Sequence, residues 1–124
     1  MSLTSLPSPI CNAVLDDAHL QSQLSAINQS FGNLCTRVAG EVWGLPLIDQ
    51  PTKALIAIAI DVVNQGLTAD SAFEAHVRMA LKQAISFEQI EELLLFCCVY
   101  AGFNKAAPAF VRLAEIRQHI EAEA

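Results

Sequence analysis

His76, inside "SAFEAHVRMALKQAIS", is the side chain best suited to move protons, because an imidazole ordinarily changes charge near neutral pH. It falls on one helical stripe with Phe73, Val77, Ala80 and Ala84, so it is either a hydrogen-bonded core residue or a working group. Arg37 and Glu41 stand four apart and read first as a surface ion pair, in the less favourable order of base before acid. Trp43, next to Glu41, fits a core position equally well. Tyr100 lies one turn after Phe96 and Cys97 and reads as a buried aromatic whose hydroxyl needs a partner. Asp61 ends the apolar run "ALIAIAI" and is either exposed at a rim or hydrogen-bonded inside. Cys11, Cys35, Cys97 and Cys98 show neither CxxC spacing nor a partner set of histidines, so zinc and thioredoxin-like motifs lack support. Neighbouring helical side chains diverge by about 100°, which excludes a strain-free bridge between Cys97 and Cys98.

The elements that must position these groups are all helical. Asp16 or Asp17 caps a first region in which Leu20, Leu24, Ile27, Phe31, Leu34, Val38 and Val42 recur every three or four residues. Gly32 and Gly40 weaken it, so it is two helices or one bent one, ending at "GLP" from Gly44. Asp49 caps the next helix, with Pro51 in its first turn and Gly66 at its close. This helix is apolar on nearly every side and must be covered all round. A third follows Thr68 and carries His76. Ser86 and Gln89 of "SFEQI" form a capping box flanked by the Ile85–Ile90 staple, and that helix runs to Gly102. Asn104 caps the last, with Pro108 in its first turn. The expectation is an all-α bundle of five to six helices: a flexible arm over residues 1–15, then one domain over 16–124.

The chain has 124 residues and is 53% hydrophobic but only 16% charged, which leaves little polar surface for a small particle and predicts subunit interfaces. A net charge of −6 is the wrong sign for nucleic acid. The apolar run from Ala54 to Ile60 falls far short of the roughly 20 residues that span a bilayer, and the N-terminus lacks an export pattern. A cytoplasmic location is expected.

Three segments, "GEVWGLPLIDQPTKAL", "FEAHVRMALKQAISFEQIEELL" and "VYAGFNKAAPAF", together resemble the carboxymuconolactone decarboxylase family, relatives of the alkylhydroperoxidase D proteins, from about Phe31 to Ile116. The resemblance implies an all-α bundle assembled as a homo-oligomer, commonly a trimer or hexamer. In the peroxidase branch a redox CxxC precedes the helical histidine; Ala69 and Ala72 stand in those places, so that thiol chemistry is absent. In the decarboxylase branch the histidine corresponds to His76, the glutamate and tryptophan of the first segment to Glu41 and Trp43, and the arginine after the histidine to Arg78. Departures fall at Ala72, where family members often carry glutamate, and at Leu45 and Lys53, where they carry arginine.

The implied reaction is cofactor-free decarboxylation of a small lactone carboxylate of the 4-carboxymuconolactone type, from aromatic degradation. No metal is implied. Carbon dioxide leaves the γ-carbon, and the electron pair delocalises onto the lactone carbonyl oxygen, so the protein must supply an oxyanion donor, a carbon acid and a dry pocket. His76 is the implied acid and Glu41 orients or reprotonates it. Trp43 lines the pocket, Tyr100 donates to the oxyanion, and Lys53, Arg37 or Arg78 neutralises carboxylates. Arg78, two residues from His76, leaves its helix on roughly the opposite side, which makes a subunit-interface site natural. The competing readings are a non-catalytic oligomeric member, favoured by Ala72 and Leu45, and a thiol-dependent peroxide-reducing protein using Cys97 or Cys98.

Overall fold

The structure, a computed structural model, describes residues 12–124, which form six α-helices and, among the described residues, no strand. Helices α1 (Ala18–Ile27) and α2 (Gln29–Trp43) belong to a compact unit ending at Lys53. The second unit, Ala54–Ala124, holds most of α3 (Gln50–Asn64), then α4 (Phe73–Lys82), α5 (Phe87–Tyr100) and α6 (Phe103–Glu123).

In the first unit the chain breaks at Asn28, whose extended backbone ends α1 while its side chain accepts from the Phe31 amide and starts α2. The glycines turn out to be packing devices. A Cβ on Gly32 would lie 2.6 Å from the backbone of Ser25 on α1, and one on Gly40 would meet the Leu15 side chain at 2.4 Å. Asn12, Ala13 and Val14 are buried, with the Asn12 amide donating to the Gly40 carbonyl at 2.9 Å. Packing therefore begins inside the stretch assigned to the arm, because Asn12 also accepts from the Val14 and Leu15 amides and folds the chain into a turn. The rest of that stretch, with Cys11, lies outside the described residues.

In the second unit Ile58, Val62, Phe73, Val77, Ile90, Leu94 and Ile116 are fully buried. Helix α5 opens with the expected capping box, Ser86 accepting from Gln89 and Gln89 from Ser86. It packs on α6, and α4 also touches α6. Two helix ends differ from the sequence pattern. At the close of α3 it is Gln65 that takes the left-handed conformation (φ 56°), while the Gly66 amide reaches back to the Asp61 carbonyl. Helix α6 starts at Phe103 rather than beyond Asn104, because Gly102 (φ 116°) reverses the chain and its carbonyl accepts from Lys105 and Ala106. Pro108 consequently sits in the second turn.

Gly32→Ala separates propensity from packing. Helix propensity alone would add about 1 kcal/mol of stability, whereas the Ser25 backbone cannot retreat from a new Cβ, and overpacking of this kind costs about 1–3 kcal/mol. The expected result in thermal melts is net destabilisation.

Candidate functional site

The expected site residues fall in both units, and each unit has its own local chemistry. In the second, α3 carries Ala54, Ile58 and Val62 as a buried stripe, and Asp61 stands beside it as the sole charged residue between Lys53 and the helix end. The turn built on Gln65 and Gly66 reverses the chain, and the Ser71 hydroxyl donates to the Gly66 and Thr68 carbonyls before α4 begins. This return brings His76, in the first turn of α4, to Asp61: His76 Nδ1 lies 2.5 Å from Asp61 Oδ2. The two side chains are 25% and 14% exposed, so the imidazole is held at one nitrogen yet still reaches solvent. Where the carboxylate accepts, Nδ1 is the donor of this contact and Nε2 is the ring nitrogen left for other partners. Asp61, whose place the sequence left open, is thus hydrogen-bonded inside. Its one visible signal was an acid interrupting an apolar run fifteen residues before His76.

Arg78 does not join this pair. Its guanidinium donates to Glu74 at 2.9 Å and to Glu123 at 2.8 Å, and Glu123 is the first cause of its raised pKa. Arg112 binds the other Glu74 oxygen at 2.9 Å and the Leu67 carbonyl at 3.1 Å. Burial works against the Glu74 charge, but the hydrogen bonds from Arg78 and Arg112 outweigh it and hold that carboxyl below its ordinary range. Tyr100 is not the buried aromatic expected of it: it is 77% exposed in the chain, with its ring 4.9 Å from that of Phe96. Tyr100 stands four residues after Phe96, itself 62% exposed, and continues the exposed side of α5 with Leu95 and Val99 although Cys97 one turn before it is buried. Burial, and then the neighbouring Cys98, push the Cys97 thiol up, away from the reactive thiolate.

In the first unit, Lys53 serves the backbone. Its ammonium donates to the carbonyls of Val42 (3.3 Å), Trp43 (2.8 Å) and Leu45 (2.7 Å), at and just beyond the end of α2. The Trp43 carbonyl also accepts from the Gln50 amide at 2.5 Å. Hydrogen bonds from Thr52 fix Asp49 as the cap of α3 and hold its carboxyl below the usual range. An open pocket of about 530 Å³ is lined by Val42, Leu45, Pro46, Leu47, Ile48 and the Lys53 chain. Trp43 is half-buried, while Glu41 and Arg37 are exposed; among the described residues no ion pair joins them.

Glu74→Gln should cost about 1–3 kcal/mol near neutral pH by leaving Arg78 and Arg112 short of an acceptor. The lowered carboxyl pKa gives the sign with pH: the stabilisation is present above the unfolded carboxylate range and lost as pH falls through the folded one. Melting temperatures of the two proteins should therefore converge on acidification.

Residues 29–115 match the model of the carboxymuconolactone decarboxylase family. The 4-carboxymuconolactone decarboxylase of Acinetobacter baylyi is 31% identical over 106 residues, covering 82% of this chain and 76% of that protein. No solved structure matches the chain significantly. A family match across most of the chain, on a six-helix fold that places a solvent-reaching histidine on α4, makes the chain a member of the carboxymuconolactone decarboxylase family.

Proposed function

We propose that this chain is a cofactor-free carboxy-lyase that decarboxylates a small unsaturated lactone carboxylate of the 4-carboxymuconolactone type. The relative's name supplies the reaction class, and the observation that carries the reading in this chain is His76, held at Nδ1 by Asp61 with its side chain 25% exposed. Loss of carbon dioxide breaks a carbon–carbon bond, and its electron pair passes through the ring to the lactone oxygen. The His76 imidazolium then gives its Nε2 proton to the α-carbon, the pair returns from oxygen, and solvent restores the imidazolium. Glu41 and Trp43, in the first unit, remain proposed site residues on the family resemblance. Among the three cations proposed for carboxylate binding, Lys53 is taken up by carbonyls and Arg78 by two carboxylates, so Arg37 is the preferred carboxylate partner.

The same proposal includes a homo-oligomer. Phe31, Leu34, Val38 and Val42 form an exposed stripe on α2, and Leu95, Phe96, Val99 and Tyr100 one on α5, both more apolar than a lone chain in water would favour. A subunit laid on α5 would desolvate Tyr100 and let its hydroxyl serve as the oxyanion donor. None of the helices is long and apolar enough to cross a membrane among the described residues, in keeping with a proposed cytoplasmic place. The engagement of Lys53 and Arg78 favours, as second reading, an oligomeric member without catalysis. The thiol reading has little behind it, since Cys97 is buried with its pKa raised and Ala69 and Ala72 hold the CxxC places.

Incubation with 4-carboxymuconolactone, followed by loss of the lactone's absorbance, tests the proposal. Turnover is expected, and His76→Gln should lower it by about two to four orders of magnitude with melting nearly unchanged. A destabilised but fully active variant would instead make His76 a core residue, and a wild type without turnover would leave the non-catalytic reading. Sedimentation should show an oligomer at micromolar concentration; a monomer there would remove the interface argument.

A further inference from the structure

A carboxylate is an expensive occupant for the place where Asp61 stands. Its side chain is 14% exposed, it adjoins the fully buried Val62, and it lies in the last turn of α3, where the helix dipole opposes negative charge. An alanine or isoleucine would continue the pattern of "ALIAIAI" at no such cost. What the acid obtains there is a side-chain hydrogen bond to His76 Nδ1, and the Gly66 amide bound to its own carbonyl anchors the backbone that presents it.

We infer that Asp61 is a positioning residue for His76: by taking the hydrogen bond from Nδ1 it fixes the tautomer and ring orientation, and so reserves Nε2 as the atom that exchanges protons with substrate. The inference rests on the decarboxylation proposed above for its catalytic consequence, but the hold on the imidazole can be read without substrate. In the neutral imidazole left after carbon is protonated, the remaining proton must stay on Nδ1 if Nε2 is to be reloaded from solvent. Asp61 keeps it there. Should the proton reside on Nε2 instead, the next cycle would find the acidic position already filled in a neutral ring, a far weaker carbon acid than an imidazolium. Arg78, two residues from His76, is engaged by Glu74 and Glu123 and does not compete for the carboxylate.

The test compares wild type, Asp61→Asn and Asp61→Glu by nitrogen-15 NMR of the His76 ring at a pH where it is neutral, alongside kcat and KM for 4-carboxymuconolactone. Wild type should show the proton on Nδ1. In Asp61→Asn the amide can turn its NH₂ toward the ring, so the proton should move to Nε2, kcat should fall about tenfold to a thousandfold, and KM should change little. Asp61→Glu should restore the Nδ1–H form and part of kcat. A wild-type ring protonated on Nε2, or an Asp61→Asn ring with the wild-type tautomer, overturns the inference, as does an unchanged kcat in a folded Asp61→Asn. If wild type turns over no lactone, the proposed reaction fails while the ring spectra still decide whether Asp61 holds the tautomer.

Discussion

A charge withdrawn from water costs several kcal/mol unless a partner replaces the lost hydration, and the pairing of Arg112, the least exposed cation described, and of the half-buried Arg78 and Lys53 follows from that constraint. With seven basic residues against thirteen acids, there are few charges to distribute. Arg112, 12% exposed, answers the constraint by binding Glu74 and the Leu67 carbonyl, which ties α6 to the start of α4. Lys105 donates to the Val63 carbonyl at 3.0 Å and so closes the end of α3. Lys53 does the same for α2. These contacts are structural in effect, and each removes a cation from the pool that could hold a substrate carboxylate.

Asp61 meets the same constraint with a different partner. A guanidinium or ammonium would have made it a permanent ion pair. Histidine leaves the pair able to gain and lose a proton while keeping one hydrogen bond throughout, since the carboxylate accepts from Nδ1 whether the ring is neutral or charged. The turn at Gln65 and Gly66 and the Ser71 bonds are what let two residues fifteen apart meet at this distance.

Which features were legible in the sequence follows the range of the interactions. The caps at Asp17, Asp49 and Ser86 depend on residues two to three positions away and were readable from spacing. The break at Asn28 and the start of α6 were not, because they turn on competition: Asn28 against a continuous apolar period, Gly102 against the cap and proline signals at Asn104 and Pro108. Gly32 looked like a helix weakness because its use, contact with Ser25, lies on another helix. Tyr100 was misplaced because burial of one residue says little about another three positions on when both faces of a helix are apolar.

The candidate site divides the same way. His76 could be singled out by type and stripe, and Glu41, Trp43 and Arg78 by family pattern, but none of these signals says whether a polar group is free or already used. Spacing alone therefore overcounts the groups available for binding: Lys53 and Arg78 looked equivalent to Arg37 until their hydrogen bonds were known. It undercounts those that act through another residue, since Asp61 carries no motif and becomes meaningful only beside the imidazole it meets. In a chain this poor in charge, a cation with no acceptor among the described residues and an acid placed where solvation disfavours it are the informative exceptions. Arg37 and Asp61 are those exceptions, the first exposed on α2 and the second hydrogen-bonded to His76.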